Sequence, residues 1–266
     1  MKYIIDHDLH IHSILSSCSR DPKQSTDAIL RYAEELGLKK ICLTDHYWDE
    51  RVSGASGWYK PQNTPHIKQA LPLPKSEKVD FLFGCESDMD RHFRVGISKE
   101  RFDEFDFVII PTTHLQMSEF TIPENFEDTP KNRAELWVKR LDALLSLELP
   151  FHKIGIAHLA CRLINKKSPE DYFKTLELIP EEEMVRLFTR AARLGCGIEL
   201  NQDDMSFVWG GEDTVLRPFR IAKECGCKFY LGTDAHHPKS LYSMKSVFES
   251  AIDALGLSED DKFVIK

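Results

Sequence analysis

The sequence predicts an α/β fold in which seven parallel strands alternate with helices in a single domain. The chain has 266 residues, a length that is normal for one α/β barrel and sufficient to bury a large core. Short apolar runs alternate with helical patterns, which is typical of parallel strands joined by right-handed crossovers. The phrases EELGLKKICLTDH and KECGCKFYLGTDAH also share one order: helix, glycine stop, buried strand, then Thr-Asp and a histidine.

Each predicted strand is a short run dominated by apolar residues. The seven runs are Lys2 to Leu9, Lys40 to Thr44, Val79 to Gly84, Phe107 to Pro111, Lys153 to Ala157, Gly197 to Leu200 and Lys228 to Gly232. This number is one fewer than the strands of the common eight-stranded barrel.

The helices are predicted from apolar residues three and four apart and from signals at the helix ends. The first begins at a Ser25 or Thr26 cap and ends at Gly37. The others are predicted at Thr129 to Leu147, Glu181 to Leu194, Asp213 to Cys225 and Ser240 to Leu255. Long connections at Tyr47 to Lys78 and Leu115 to Asp128 follow the carboxyl ends of their strands, where long loops are often functional.

Charge and composition narrow the class of protein. The formal charge of -8 argues against a broad nucleic-acid surface, which needs clustered lysine and arginine. No apolar run approaches the roughly 20 residues that a membrane helix needs. The amino terminus, MKYIIDHDLH, has no apolar core of a signal peptide, and the seven cysteines form no C-x-x-C pair. We therefore expect reduced thiols and a cytoplasmic protein.

Side chains that can bind metals stand at the ends of six of the seven predicted strands. His10 and His12 are two residues apart in the first strand, so both point to the same face. The other candidates are Asp45, His46, Glu86, His114, His158, Asp234 and His236. The carboxyl ends of parallel barrel strands meet at one rim, where barrel enzymes have their active sites.

One histidine at a strand end is usually a hydrogen-bonded polar residue rather than a ligand. Six such strand ends in register favour a metal site instead, because burying so many imidazoles and carboxylates without a partner would carry a large desolvation free energy. A cation relieves that cost by taking their lone pairs, so we expect a metal centre. The remaining histidines lack this placement and are interpreted as structural or surface residues; they are His7, His66, His92, His152 and His237.

The motifs DLHIHS, LTDH, GCES, TTH, IAHL and LGTDAHHP, in this order and on these strands, resemble the PHP (polymerase and histidinol phosphatase) family. The resemblance covers nearly the whole chain. It implies that residues 1–266 form one PHP-type metal-dependent phosphoesterase domain, a distorted seven-stranded (β/α)7 TIM-like barrel that holds two to three divalent ions of Zn, Mn or Fe. The implied ligand sets are His10, His12, Glu86 and Asp234 for one ion, Glu86, His114 and His158 for the second, and His46 and His236 for the third. Glu86 would bridge two ions.

The family places a further ligand shortly after the His-x-His pair, and here the chain offers Cys18 and Asp21. We expect Asp21, because hard carboxylate oxygen suits a hydrolytic site whereas a thiolate oxidises readily. Cys18 is the alternative. A second departure lies after the sixth strand, where Asn201 is followed by QDDMSFVWGG rather than by the turn of histidinol phosphatases.

Divalent ions would make the pocket floor positive despite the acidic exterior, which suits a phosphate group. We expect hydrolysis of a small-molecule phosphomonoester, with L-histidinol phosphate as the first choice. Glu86, Asp234 and Arg162 are the expected catalytic residues, and Arg162 is the candidate clamp because a guanidinium pairs with phosphate through two bonds. The alternatives are a nucleotide (AMP-type) or oligonucleotide-end phosphoesterase, a metal-dependent amide hydrolase, and a metal-stabilised binding protein without turnover.

Overall fold

The computed structural model describes residues 1–265 and contains one parallel sheet of seven strands. The strands are β1 (His7–Ile11), β2 (Lys40–Leu43), β3 (Asp80–Glu86), β4 (Phe107–Pro111), β5 (Ile154–Ala157), β6 (Gly197–Asn201) and β7 (Lys228–Gly232). Each strand pairs in parallel with the next one along the chain. The predicted fold class, a seven-stranded α/β barrel, is confirmed.

The barrel is closed between β7 and β1 mainly by side-chain and end contacts. The buried Asp8 carboxylate accepts hydrogen bonds from the Thr233 backbone N–H at 3.0 Å and from the Thr233 hydroxyl at 2.7 Å. Beyond the strand ends, the Asp234 N–H donates to the His10 carbonyl at 2.7 Å, and the His12 N–H donates to that of Ala235 at 3.1 Å. These bonds hold the two edge strands together directly beneath the rim that carries the predicted ligands.

Helices follow most strands and cover the outside of the barrel. They are α1 (Thr26–Leu36), α2 (Thr64–Ile67), α3 (Pro130–Leu145), α4 (Pro169–Glu177), α5 (Glu181–Leu194), α6 (Gln202–Met205), α7 (Glu212–Glu224), α8 (Pro238–Leu241) and α9 (Met244–Leu255). The Ser25 side chain caps α1, and Gly37 ends it in the left-handed conformation with φ 69°. Within the described part of the chain, none of the helices is long and apolar enough to cross a membrane.

The sequence-based prediction differs from the structure most clearly at the first strand, at the last predicted helix and at α4. The first strand is His7–Ile11 rather than Lys2 to Leu9, since Lys2 instead forms an antiparallel bridge with Ser258. The predicted helix at Ser240 to Leu255 is two helices, α8 and α9. Helix α4 was not predicted, although it begins with a Ser168 cap and a proline in its first turn.

The inside of the barrel is filled at its amino end. Alternate residues of β4 face in opposite directions, so Phe107 and Ile109 pack inside while Val108 and Ile110 face the helices. Phe263, from the end of the chain, joins the inner cluster, and Gly155 has no room for a side chain there because a Cβ would lie 2.5 Å from Phe107. The polar ends of the strands are therefore left at the opposite, carboxyl rim.

Candidate metal centre

Eight of the nine predicted metal ligands converge at the carboxyl rim. Their side chains lie around one buried carboxylate, that of Glu86 at the end of β3, which is 0% exposed. The Glu86 Oε2 atom lies 2.7 Å from His46 Nδ1, 3.4 Å from His12 Nε2 and 3.7 Å from His10 Nε2. The other oxygen, Oε1, lies 3.5 Å from His158 Nε2 and 3.9 Å from His114 Nε2. Glu86 thus faces different sets of histidines with its two oxygens.

Asp234, just after β7, closes the cluster from the other side. Its Oδ1 atom is 3.0 Å from His12 Nε2 and 3.4 Å from His10 Nε2, and its Oδ2 atom is 3.6 Å from His158 Nε2. Asp234 and His158 both have positive φ angles, 53° and 62°, in the left-handed region that non-glycine residues rarely adopt. Such strain commonly marks functional sites, and here it turns both side chains into the cluster.

His236 forms the outer side of the cluster. Its ring stacks on that of His12 with the ring centroids 4.1 Å apart, and the His12 ring lies 4.4 Å from that of His46. Ligand atoms of these three histidines all lie within 4.8 Å of one another. The same is true of His10, His12 and Asp234, and of His10, Glu86 and His158. A fourth group, of His158, Cys161 and Asp204, shares His158 with them.

The protonation states of the buried carboxylates and imidazoles favour a bound cation. Burial would raise the pKa of Glu86, but His46 and His10 hold it well below its usual range. Burial likewise would lower the pKa of His10, but Glu199, Asp234 and Glu86 raise it to about 10. Protons on buried imidazoles therefore balance the carboxylates. A bound metal ion can replace those protons, since it binds the same lone pairs.

The hydrogen bonding of the buried atoms fits metal ions as well. Within residues 1–265, both oxygens of Glu86, both ring nitrogens of His158 and the Nε2 atom of His236 are buried without a hydrogen-bond partner. An unpaired buried polar group costs about 1–3 kcal/mol, and more if charged, so a cluster of them calls for a partner. His10 Nε2 and His12 Nε2 are 3.1 Å apart, near the roughly 3.3 Å that two nitrogens have in a tetrahedral shell with Zn–N bonds of about 2.0–2.1 Å.

An outer layer of hydrogen bonds orients the histidines. The buried Glu199 carboxylate in β6 lies with Oε1 2.6 Å from His10 Nδ1, while its Oε2 accepts the backbone N–H of His158 at 3.1 Å. This contact directs His10 Nε2 into the cluster. The sequence analysis did not single out Glu199, because this residue does not face the cluster as a ligand. A carboxylate within the otherwise mostly apolar strand GIELN could have indicated its role.

Two other carboxylates have similar roles. Asp88 lies 3.2 Å from His114 Nδ1, and the buried Arg140 contacts the same carboxylate at 3.4 Å. Asp45, a candidate by position, does not enter the cluster: it accepts hydrogen bonds from the hydroxyls of Ser13 and Ser16, each at 2.6 Å, and so holds the loop after β1.

The structure places Cys18, rather than the expected Asp21, beside the cluster. The Asp21 carboxylate pairs instead with His237 Nε2 at 2.8 Å, outside every group of potential ligands described above. Cys18 is an exposed residue, and it lines a cavity together with His46 and His236. Burial would raise the pKa of this thiol, but the two histidines lower it to about 7. Distance along the sequence could not separate the two residues, because the turn between them decides which one faces inward.

Arg162 lies near the cluster, but its side chain already has a partner. Its Nη2 atom donates to Asp203 Oδ1 at 2.8 Å and its Nε atom to Oδ2 at 3.1 Å, and the guanidinium lies 5.2 Å from the ring centroid of Trp209. Within residues 1–265, the Nη1 atom has no hydrogen-bond partner. The Nη1 atom of the Arg162 guanidinium is therefore free to bind a ligand.

The profile of the PHP domain family matches residues 8–202, which is more than half of the chain. The chain belongs to the PHP family. A comparison with curated proteins gave no match. Family membership, together with the cluster of histidine and carboxylate side chains, indicates a metal-dependent phosphoesterase among the hydrolases.

Solved structures are similar to this chain. Histidinol phosphate phosphatase from Lactococcus lactis, crystallised with zinc, L-histidinol and phosphate, is 16% identical with a TM-score of 0.67, and the alignment covers 97% of this chain and 98% of that one. The metal-dependent tyrosine phosphatases YwqE from Bacillus subtilis and CpsB from Streptococcus pneumoniae give 14% identity and a TM-score of 0.43, over 97% of this chain and 96% of the other. At this identity the first likeness shows the fold alone.

The cluster of potential metal ligands opens into two cavities, and Asp234 lines both of them. The larger, of about 830 Å³, is lined among others by Arg162, Lys166 and Trp209. The smaller, of about 400 Å³, is lined by Trp58 and by other residues of the long loops after β2 and β4. A substrate that reaches Asp234 therefore has room on either side of it.

Proposed function

We propose that residues 1–266 form a metal-dependent phosphatase that hydrolyses a small-molecule phosphomonoester. The observation that carries this proposal is the position of Glu86. A fully buried carboxylate with histidines around both oxygens, and without a hydrogen bond to either among the described residues, is suited to bridge two cations. PHP family membership supports the same chemistry.

The ligands are assigned as the resemblance to the PHP family implies. We assign His10, His12, Glu86 and Asp234 to one ion, Glu86, His114 and His158 to a second, and His46 and His236 to a third. Zinc, manganese or iron suits these nitrogen and oxygen donors. These residues would hold divalent ions, which would supply a water of lowered pKa and neutralise charge on the phosphate.

The protein's own groups support the reaction by their protonation states. Burial would raise the pKa of Asp234, but His10 and His236 hold it well below its usual range, so Asp234 is an ionised carboxylate. Burial, with His236 and His46 nearby, lowers the pKa of His12 well below normal, which leaves this imidazole neutral. Both groups are thus in the form that binds a cation.

Arg162 is proposed to contact the phosphate through its free Nη1 atom. Asp203 holds the other edge of the guanidinium, and His158, Asp234 and Arg162 line the same cavity. L-histidinol phosphate is the first ester to test, since the solved phosphatase of the same fold was crystallised with L-histidinol and phosphate. AMP is the second, because the Trp209 ring beside Arg162 offers an aromatic surface for a base.

The test is phosphate release by protein purified without chelator. The panel contains L-histidinol phosphate, AMP and a 5′-phosphorylated oligonucleotide, with an amide substrate as a separate arm. We expect release from at least one small ester and its loss in Glu86→Gln. Arg162→Ala should lower kcat/KM by about ten- to a hundredfold, because a hydrogen bond to a charged group contributes about 1.5–3 kcal/mol.

Arg220→Ala is the matched control. Arg220 is also a half-exposed arginine in an ion pair, 2.9 Å from Asp213, but it lies outside both cavities. It should keep wild-type kinetics. Metal-loaded protein that cleaves none of the esters would contradict the proposal and favour a binding protein, whereas cleavage of the amide alone would favour an amidohydrolase.

A further inference from the structure

We propose that Cys18 is a metal ligand and that the subsite of His46 and His236 therefore binds its ion with one thiolate. This inference rests on the proposed metal centre and goes beyond it, because it gives one of the ions a sulfur ligand. It predicts that this subsite prefers zinc to manganese, since soft thiolate donors select zinc over metals that favour oxygen.

The histidines of this subsite leave room for another ligand. His46 is 7% exposed, and within the described residues its Nδ1 atom has no hydrogen bond although Glu86 Oε2 is 2.7 Å away. The buried Nε2 atom of His236 is also unpaired, while its Nδ1 atom lies 2.7 Å from the Asp234 carbonyl. The imidazoles are thus turned inward, but a tetrahedral zinc site takes four ligands.

Cys18 is the side chain that reaches this position. Cys18, His46 and His236 all line the smaller cavity, so the thiol borders the same space as both imidazoles. Asp21, the other residue in this loop with suitable chemistry, is 2.8 Å from His237 and does not line this cavity. The thiolate would also add a negative charge to a subsite made mainly of neutral donors.

The loop that carries Cys18 is held in place independently of any metal. The Ser16 hydroxyl lies 2.9 Å from His12 Nδ1 and accepts the His46 backbone N–H at 3.1 Å. The Ser17 backbone N–H donates to the Gln62 side chain at 2.9 Å. These bonds connect the loop to His46, one proposed co-ligand of Cys18, and to His12, whose ring stacks on that of His236, the other co-ligand.

Cobalt substitution tests the inference directly. The bound ions are exchanged for Co²⁺, and the near-ultraviolet absorption is recorded, where a sulfur-to-cobalt charge-transfer band reports a thiolate ligand. We expect the band in the wild type and its loss in Cys18→Ser and Cys18→His. Elemental analysis of the zinc-loaded proteins should show a loss of roughly one ion per chain in Cys18→Ser, and retention in Cys18→His because imidazole is also a zinc ligand.

Two control variants separate Cys18 from its surroundings. Cys225→Ser changes a cysteine at the end of α7, and Asp21→Asn removes the carboxylate that pairs with His237. Both should keep the band and the metal content. Cys161→Ser should also keep the band, although Cys161 lies beside His158.

The outcomes distinguish this inference from the proposed function. Wild-type protein that binds cobalt and releases phosphate, but shows no charge-transfer band, would overturn the thiolate ligand and leave the phosphatase intact. A band that survives in Cys18→Ser and disappears in Cys161→Ser would overturn it too. Folded wild-type protein that binds no ions would overturn both proposals.

Discussion

Replacing Glu199 by glutamine should weaken metal binding while leaving the barrel folded. Glu199 is 0% exposed, its Oε1 atom is 2.6 Å from His10 Nδ1, and its Oε2 atom accepts the His158 backbone N–H at 3.1 Å. Glutamine has nearly the same volume, but one of its two terminal atoms is a donor. One of the two contacts must therefore be lost, and the negative charge that supports His10 is lost with it.

The size of the effect follows from these contacts. A hydrogen bond to a charged group contributes about 1.5–3 kcal/mol, and loss of an outer partner of a metal ligand typically costs about 10- to 100-fold in metal affinity. A 10- to 100-fold change corresponds to about 1.4–2.7 kcal/mol, so the two estimates agree. We expect a loss of affinity in this range.

Competition with a chromophoric chelator measures that affinity, and far-ultraviolet circular dichroism checks the fold. Glu182→Gln is the control, because Glu182 is an exposed glutamate on α5 far from any metal group. It should bind metal as the wild type does. Equal affinities for wild type and Glu199→Gln, within twofold, would refute the role given to Glu199.

Three further predictions test the surroundings of the centre. Removing the ions with a chelator should lower the melting temperature in calorimetry, because a ligand at 100 times its Kd stabilises the folded state by about 2.7 kcal/mol; an unchanged melting temperature would count against bound ions. Arg140→Leu should lower the free energy of unfolding in urea by about 3–5 kcal/mol, because it leaves the buried Asp88 without its cationic partner, and a loss below about 1 kcal/mol would contradict this. Gly232→Ala should displace Glu199, because the new Cβ would lie 2.1 Å from Glu199 Oε1. We expect the metal affinity in the chelator assay to fall by at least about tenfold, as for Glu199→Gln. Wild-type affinity would show that Glu199 can move without affecting the metal ligands.

The fold was predictable because the apolar strands and the helix ends carry strong local signals. The prediction failed at β1, where the apolar residues Tyr3 and Ile5 pointed to a strand that begins too early. The true strand is HDLHI, in which polar side chains serve the closure of the barrel and the metal centre. Hydrophobic periodicity cannot recognise a strand whose polar residues are buried by tertiary contacts.

Most of the candidate site was also predictable, since ligands at the ends of parallel strands must meet at one rim. The loop after β1 was not, because its turns at Ser16 to Ser19 direct Cys18 inward and Asp21 toward His237. The pairing of Arg162 with Asp203 depends on residues 41 positions apart, which spacing alone does not bring together.

The central claim is that Glu86 bridges metal ions at the carboxyl rim. Elemental analysis of protein purified without chelator, for wild type and Glu86→Gln side by side, tests it most directly. The account predicts two to three ions of zinc, manganese or iron per wild-type chain and fewer in a Glu86→Gln variant that is still folded, because the bridge has lost its charge. Folded wild-type protein without bound ions, or a Glu86→Gln variant with the full wild-type complement, would contradict it.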